Sequence, residues 1–285
     1  MKGEVTLEDG TYGPRAVLNS GWSDSVIDYL TNNGVVELEL NQAKGWRGGD
    51  LSFLSEFPAL KSFKIFDFNI KDITPIHFLH DLRELGVTTY CLTEIDFSAF
   101  PRLDTCGLEW GRRKASSISD CTTLKKLMVS CYKGKDVDPF ARLINLESLA
   151  ILVAPVGNLH GLNALRNLRR LRLGRLTRLT SLAGIEGLAD MEELNVDTCR
   201  AISNIEQVAS LLRLRKLFVD NCGEIDSLKP MEKLSNLEMV GFVESTNILD
   251  GDLSPLIGLR NLSRLAFQNR RHYSHRREEF RAFTG

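Results

Sequence analysis

Apolar and polar residues follow a short signature that returns throughout the chain: apolar, two variable positions, apolar, one variable position, apolar. It reads LRRLRL at 168–173, MEELNV at 191–196 and LRKLFV at 214–219. It runs back through LESLAI (146–151), LKKLMV (124–129), LDTCGL (103–108), LRELGV (82–87) and LKSFKI (60–65) to a divergent VVELEL at 35–40. Two later copies are LEMVGF (237–242) and LSRLAF (262–267). The middle apolar residue stands at 38, 63, 85, 106, 127, 149, 171, 194, 217, 240 and 265, a period of 21 to 25 residues. Alternation at the end of each signature predicts one short strand per copy, with the apolar side chains inward and the intervening ones on the other face. One such unit cannot bury its own apolar stripe, whereas stacked units share a continuous core.

On these eleven signatures, over residues 35–269, the chain resembles leucine-rich repeat proteins of the short-repeat type, as in bacterial internalins and phosphatase-regulator repeats. The stretches EIDSLKPMEKLSNL (224–237) and LTSLAGIEGLADM (179–191) carry the second half of that motif. The resemblance implies an α/β solenoid. A curved parallel sheet of about eleven strands would form its concave face, and turns, 3₁₀ segments and short helices its convex face. The family places asparagine five residues after the middle apolar position. Here that column reads Ala43, Phe68, Tyr90, Gly111, Tyr132, Ala154, Leu176, Cys199, Cys222, Ser245 and Arg270. No asparagine ladder is expected there; Cys199 and Cys222 are expected as buried thiols, and the aromatic members as wider turns in the first half.

A repeat stack needs covers at its ends. Residues 1–34 are expected to form the amino-terminal one, with a short helix in which Ser23 is the N-cap, Trp22 and Ile27 form a hydrophobic staple and Gly34 is the stop. Residues 270–285 are expected as a basic carboxy-terminal cover, with Ser274 as a helix N-cap and Phe280 and Phe283 closing the last core layer.

Charge narrows the function. Lys plus Arg number 36 against 37 Asp plus Glu, a net charge of −1, without the basic excess of a dedicated nucleic-acid binder. There is no apolar leader, no stretch that could span a bilayer and no C-x-x-C spacing among the six cysteines. The expectation is a monomeric, membrane-free chain with reduced thiols in the cytoplasm. No phosphate-cradling glycine loop, nucleophile motif or zinc-protease motif occurs. His77 and His80 in TPIHFLH have only Asp72 and Asp81 as nearby candidate ligands, so neither a metal nor another cofactor is expected, and the chain is read as a non-enzyme.

The variable strand positions carry the functional expectation, a protein-binding face. Large apolar residues fall where water would otherwise stand, namely Phe66, Trp110, Met128, Leu152, Val153 and Phe218, with Gly86, Gly107 and Ala150 leaving the sheet open around them. The segment RNLRRLRLGRLTR (166–178) holds six arginines. Its leucines belong to the core; Arg170, Arg172 and Arg175 face the concave side, and Arg166, Arg169 and Arg178 lie at edges. Strand pairing would set Arg170 beside Glu193 and Arg172 diagonal to Asp197, with Asp220 beyond, so that the arginines are partly neutralised. These eleven residues, Phe66, Trp110, Met128, Leu152, Val153, Arg170, Arg172, Arg175, Asp197, Phe218 and Asp220, are the expected contact set. They would receive a partner protein, the chain serving as an intracellular bacterial adaptor, regulator or immunity-type protein. The alternative is a nucleic-acid adaptor using the arginine-rich repeat and the basic terminal cover.

Overall fold

A computed structural model of the chain describes residues 4–111 and 115–280; Phe283 lies outside them. The chain falls into two compact units, residues 1–129 and 130–285.

In the first unit, strands β1 (Val5–Asp9) and β2 (Pro14–Leu18) form an antiparallel hairpin, and helix α1 (Asp24–Asn32) follows. Five parallel strands then come in order: β3 (Glu37–Asn41), β4 (Ser62–Phe66), β5 (Glu84–Thr88), β6 (Thr105–Glu109) and β7 (Lys126–Ser130). The second unit carries β8 (Ser148–Ala154), β9 (Arg170–Leu176), β10 (Glu193–Asp197), β11 (Lys216–Asp220), β12 (Glu224–Ile225), β13 (Met239–Phe242), β14 (Asn247–Ile248) and β15 (Arg264–Phe267). Here β12 pairs with β14 in a separate small sheet, and the other six strands form the parallel sheet in chain order.

Each of the eleven signatures becomes a strand, and their register is the one that the apolar pattern predicts. Leu38, Phe63, Leu85 and Cys106 stand side by side in the first unit. Leu149, Leu171, Leu194, Leu217, Val240 and Leu265 do so in the second. All ten are buried. Each repeat is pinned at its entry by one carbonyl that accepts two successive N–H groups of the next: Glu147 O takes Arg169 and Arg170, Arg169 O takes Glu192 and Glu193, and Glu192 O takes Arg215 and Lys216.

Opposite the strands lie 3₁₀ segments, and their cause is a spacing of three. Ile73, Ile76, Leu79 and Leu82 are all buried, and each is joined to the next by an N–H to carbonyl bond of 3.0 to 3.2 Å. Val137, Phe140, Leu143 and Leu146 repeat this, as do Leu159, Leu162, Leu165 and Leu168. At three residues per turn, side chains three apart eclipse, so one apolar row enters the core without an α-helix. Asp72, Asp96, Asn204 and Asp252 start such segments by accepting the N–H two residues on, at 2.9 to 3.0 Å.

The ends differ from the sequence reading. Strands β1 and β2 add to the eleven expected, because Gly10 and Gly13 close a tight turn (Gly10 N–H to Gly13 O, 3.0 Å) and Ala16, Val17 and Leu18 are buried as β2 extends the sheet beside β3. Glu37 is fully buried there, its carboxylate held by Arg15 at 3.0 Å and by the Tyr12 N–H. Ser23 stands at the start of α1, but its hydroxyl bonds to that of Ser25, and Trp22 stacks on Phe53. Gly34 ends the helix as expected, in the left-handed region at φ 58°. At the other end Ser274 caps no helix. Its hydroxyl accepts the Leu253 N–H at 2.9 Å, while Phe280 is buried edge-on to Phe267.

Candidate partner-binding face

Three of the expected contact residues belong to the first unit. Phe66, at the end of β4, is 36% exposed and meets Phe68 edge-on at 4.9 Å between ring centroids. Phe68 in turn lies against Tyr90 at 4.4 Å, and Tyr90 is 68% exposed. The aromatic column read as a sign of wide turns is therefore an aromatic cluster continuous with Phe66. Its signal was visible as aromatics 22 residues apart at the strand exit, Phe68 and Tyr90. Trp110, just past β6, is half-buried. Met128 is 49% exposed and its terminal methyl lies 3.6 Å from where a Cβ on Gly107 would stand.

The other eight belong to the second unit. Leu152 is half-buried, lying across Gly174 so closely that a Cβ there would come within 2.8 Å of its Cδ2. Phe218 lies across Gly241 in the same way. The glycines of these faces thus seat a neighbour's side chain; with Gly86 beneath Lys64 and Gly107 beneath Met128, they do not leave the sheet open as expected.

Val153 and Arg175 follow a different geometry from plain strand positions. Cys131, Val153, Arg175, Thr198, Asn221 and Glu244, one per repeat, all have φ between 53° and 59°. This left-handed bend turns the chain out of each strand, and the N–H at the bend bonds to the next repeat, Thr198 to Asp220 O at 2.9 Å and Asn221 to Val243 O at 3.1 Å. Asparagine fits such a position; a β-branched valine does not. Val153 is nevertheless there, and 45% exposed.

The charge pattern corrects the expectation of neutralised arginines. Arg170 is register partner of Glu193, but the Glu193 carboxylate is taken by Lys216 at 3.3 Å. The edge arginine Arg169 holds Glu192 at 3.2 Å, and Arg215 makes a two-pronged pair with Glu238 at 2.8 and 3.0 Å. Arg170, Arg172 and Arg175 are exposed, and among the described residues none forms an ion pair or a side-chain hydrogen bond. Asp197 accepts its neighbour Thr198's hydroxyl at 2.8 Å, and Asp220 accepts the Val243 N–H at 3.0 Å. Burial pushes the Asp220 carboxyl up from the ordinary range, and Asp197 and Glu244 add to it, against the lowering by the Val243 N–H.

Behind the face, Cys199 and Cys222 occupy the inward column as buried free thiols. Each Sγ points at strand carbonyls, Cys199 at Asp197 O (3.5 Å) and Cys222 at Asp220 O (3.2 Å). Thr246 continues the column, its hydroxyl accepting from Cys222 N–H at 3.0 Å and donating to Val219 O at 2.8 Å. Burial raises the two thiols to about 11 and about 12 respectively. Asparagines recur at another position, four residues before the middle apolar one, where Asn167, Asn236 and Asn261 donate to Ile144 O, Leu212 O and Ser235 O at 2.7 to 3.0 Å.

His77 Nδ1 lies 2.9 Å from Thr74 O and its Nε2 accepts the Asp96 N–H at 3.0 Å. No group of three or more metal-ligating side chains gathers among the described residues, and no helix there is long and apolar enough to cross a membrane.

No protein-family model and no curated protein matches the chain. Solved structures do. An internalin (inlF) from Listeria monocytogenes is similar over 90% of this chain and 83% of its own, at 24% identity and TM-score 0.60. The fold is that of a leucine-rich repeat protein. A leucine-rich repeat protein of Leptospira interrogans matches over 88% of this chain and 82% of its own, at 15% identity and TM-score 0.55. The functional domain of InlJ from Listeria monocytogenes, which includes a cysteine ladder, matches over 91% of this chain and 55% of its own, at 18% identity and TM-score 0.57.

Proposed function

We propose that the chain is a non-enzymatic protein-binding module that receives a partner on its strand faces. The observation that carries this reading lies in the second unit, where the exposed Val153 and the half-buried Leu152, on the strand next to β9, border three exposed arginines that no carboxylate among the described residues engages. Isolated exposed apolar residues are ordinary, but apolar residues on the strand next to unpaired arginines match the composition of interface centres. A plant peptide hormone receptor, RGFR1 solved in complex with RGF2, has the same fold at 15% identity and TM-score 0.54, over 93% of this chain and 52% of its own. It supports the view that this fold offers a surface to a polypeptide. Six free thiols support a reducing compartment such as the cytoplasm, where the module would act as an adaptor or regulator. The nucleic-acid alternative has less support, because the net charge is −1 and the terminal basic residues serve the cover: Arg270 donates to Thr246 O at 2.9 Å and His272 Nε2 lies 2.8 Å from Ile248 O.

The test is capture from the native cell with wild type and with a Met128→Glu/Leu152→Glu/Arg172→Glu variant whose folding is checked by circular dichroism. Partners retained by wild type and lost by the variant are expected. A folded variant that keeps every partner refutes the reading.

A further inference from the structure

We infer that strand β9, with the bend at Arg175, forms the seat for an extended acidic segment of the partner whose carboxylates at alternate positions face its arginines. The inference rests on the proposed protein-binding reading and names the chemistry of its ligand.

The first ground is selective pairing. Around β9, Arg169, Arg213, Arg215 and Lys216 each have a carboxylate within 3.3 Å. Arg170, Arg172 and Arg175 have none among the described residues, although Glu193 is the register partner of Arg170. Three acids on the next two strands bond elsewhere: Glu193 with Lys216, Asp197 with Thr198 and Asp220 with the Val243 N–H. A guanidinium is a rigid two-pronged donor for carboxylates, and here three such forks stand idle together.

The second ground is spacing. Arg170 and Arg172 are two apart on one strand, so they leave the same face roughly 6.6 Å apart. Alternate side chains of an extended peptide have that same repeat. Arg172 is flanked in register by Ala150 and Asn195, with no bulky side chain on either side.

The third ground is apolar and conformational. Leu152, pressed onto Gly174, and Val153, at the bend one repeat before Arg175, provide an apolar margin. A valine in the left-handed region costs about 1–3 kcal/mol that asparagine at the same bend would not. The ligand is a peptide rather than a nucleic acid because Glu193, Asp197 and Asp220 lie within two strands of the arginines. A dense row of phosphates would meet these carboxylates too, whereas a segment of alternating acidic and apolar residues meets them sparsely.

The experiment is fluorescence anisotropy of the full chain with a labelled octapeptide alternating Asp and Leu. The expected result is binding that weakens by about tenfold or more in Arg170→Gln/Arg172→Gln/Arg175→Gln and by less than about twofold in the paired control Arg169→Gln/Arg213→Gln. Should the triple variant fail to fold, Arg172→Gln alone is expected to lose about threefold or more. Absence of binding up to about 1 mM overturns the inference. So does equal binding by wild type and triple variant, or tighter, arginine-dependent binding of a heparin oligosaccharide or duplex DNA. A captured partner that is lost on Met128→Glu but kept by the arginine triple variant removes this inference and leaves the broader binding reading standing.

Discussion

Val153 shows how a single residue can be read for function against its folding cost. Its backbone sits at φ 55°, where its two γ-methyls crowd the chain. Val153→Asn is therefore expected to raise stability by about 1 kcal/mol while weakening binding to the acidic peptide. Urea unfolding and anisotropy on the same variant check the two halves separately; a destabilised variant would show that Val153 packs into the core. Asp220 makes the converse case. Its folded carboxyl titrates above the ordinary range because it is half-buried beside Asp197 and Glu244. The folded state then holds the proton more tightly than the unfolded one, so stability falls as pH rises from the ordinary aspartate value through the raised one. Asp220→Asn keeps an oxygen acceptor for the Val243 N–H and has no charge to bury. It is expected to be more stable than wild type at pH 7, with the advantage vanishing as pH falls toward 4. Denaturant midpoints at the two pH values decide it, and a constant difference would contradict the assignment.

Elements were legible to unequal degrees. The strands could be placed to the residue, because an apolar residue every second position can point inward in only one register, and Leu171 pairs with Leu149 and Leu194 accordingly. For the opposite side the resemblance implied turns, 3₁₀ segments and short helices, and the rows Ile73-Ile76-Leu79-Leu82 and Leu159-Leu162-Leu165-Leu168 carry the three-residue period that selects the 3₁₀ form. The β1–β2 hairpin was missed because it lacks the repeat signature; only its Gly10 and Gly13 marked a turn. The inward column was recognised at Cys199 and Cys222, but not its continuation. From Cys222 the column advances 24 residues rather than the 23 between Cys199 and Cys222, which brings Thr246 rather than Ser245 to the position. Thr246→Val tests what that hydroxyl does. With shape preserved, the Cys222 N–H and the Val219 carbonyl lose their partners inside the core, and the expected loss is about 1–3 kcal/mol. Thermal unfolding of this variant beside Ser245→Ala, whose exposed hydroxyl bonds only Asn221 Oδ1, measures it; equal effects would mean the column carries no special load.

For the chain as a whole, repeats make order and register legible while leaving side-chain partnership obscure. The sequence placed Arg170 beside Glu193 correctly, yet could not show that Lys216 takes that carboxylate, because both neighbours of β10 offer it a cation at the same register. Pairing is decided by side-chain reach, which periodicity does not encode. The same locality governs stability. Each repeat contacts chiefly its neighbours, so damage at one end should stay near that end. In the second unit the end is closed by Tyr273, whose ring lies 6.0 Å from that of Phe267 and 6.4 Å from that of Phe242, and whose hydroxyl accepts the Ile248 N–H at 3.0 Å. Tyr273→Ala removes an apolar cover and a backbone acceptor together, an expected loss of about 2–4 kcal/mol. Hydrogen exchange should show protection falling in β13, β14 and β15 while β9 and β10 keep theirs, and peptide binding at the arginines should be unchanged. Uniform loss of protection from β8 to β15 would instead mean that the second unit unfolds as one block, and that its terminal cover supports the arginine strand at a distance.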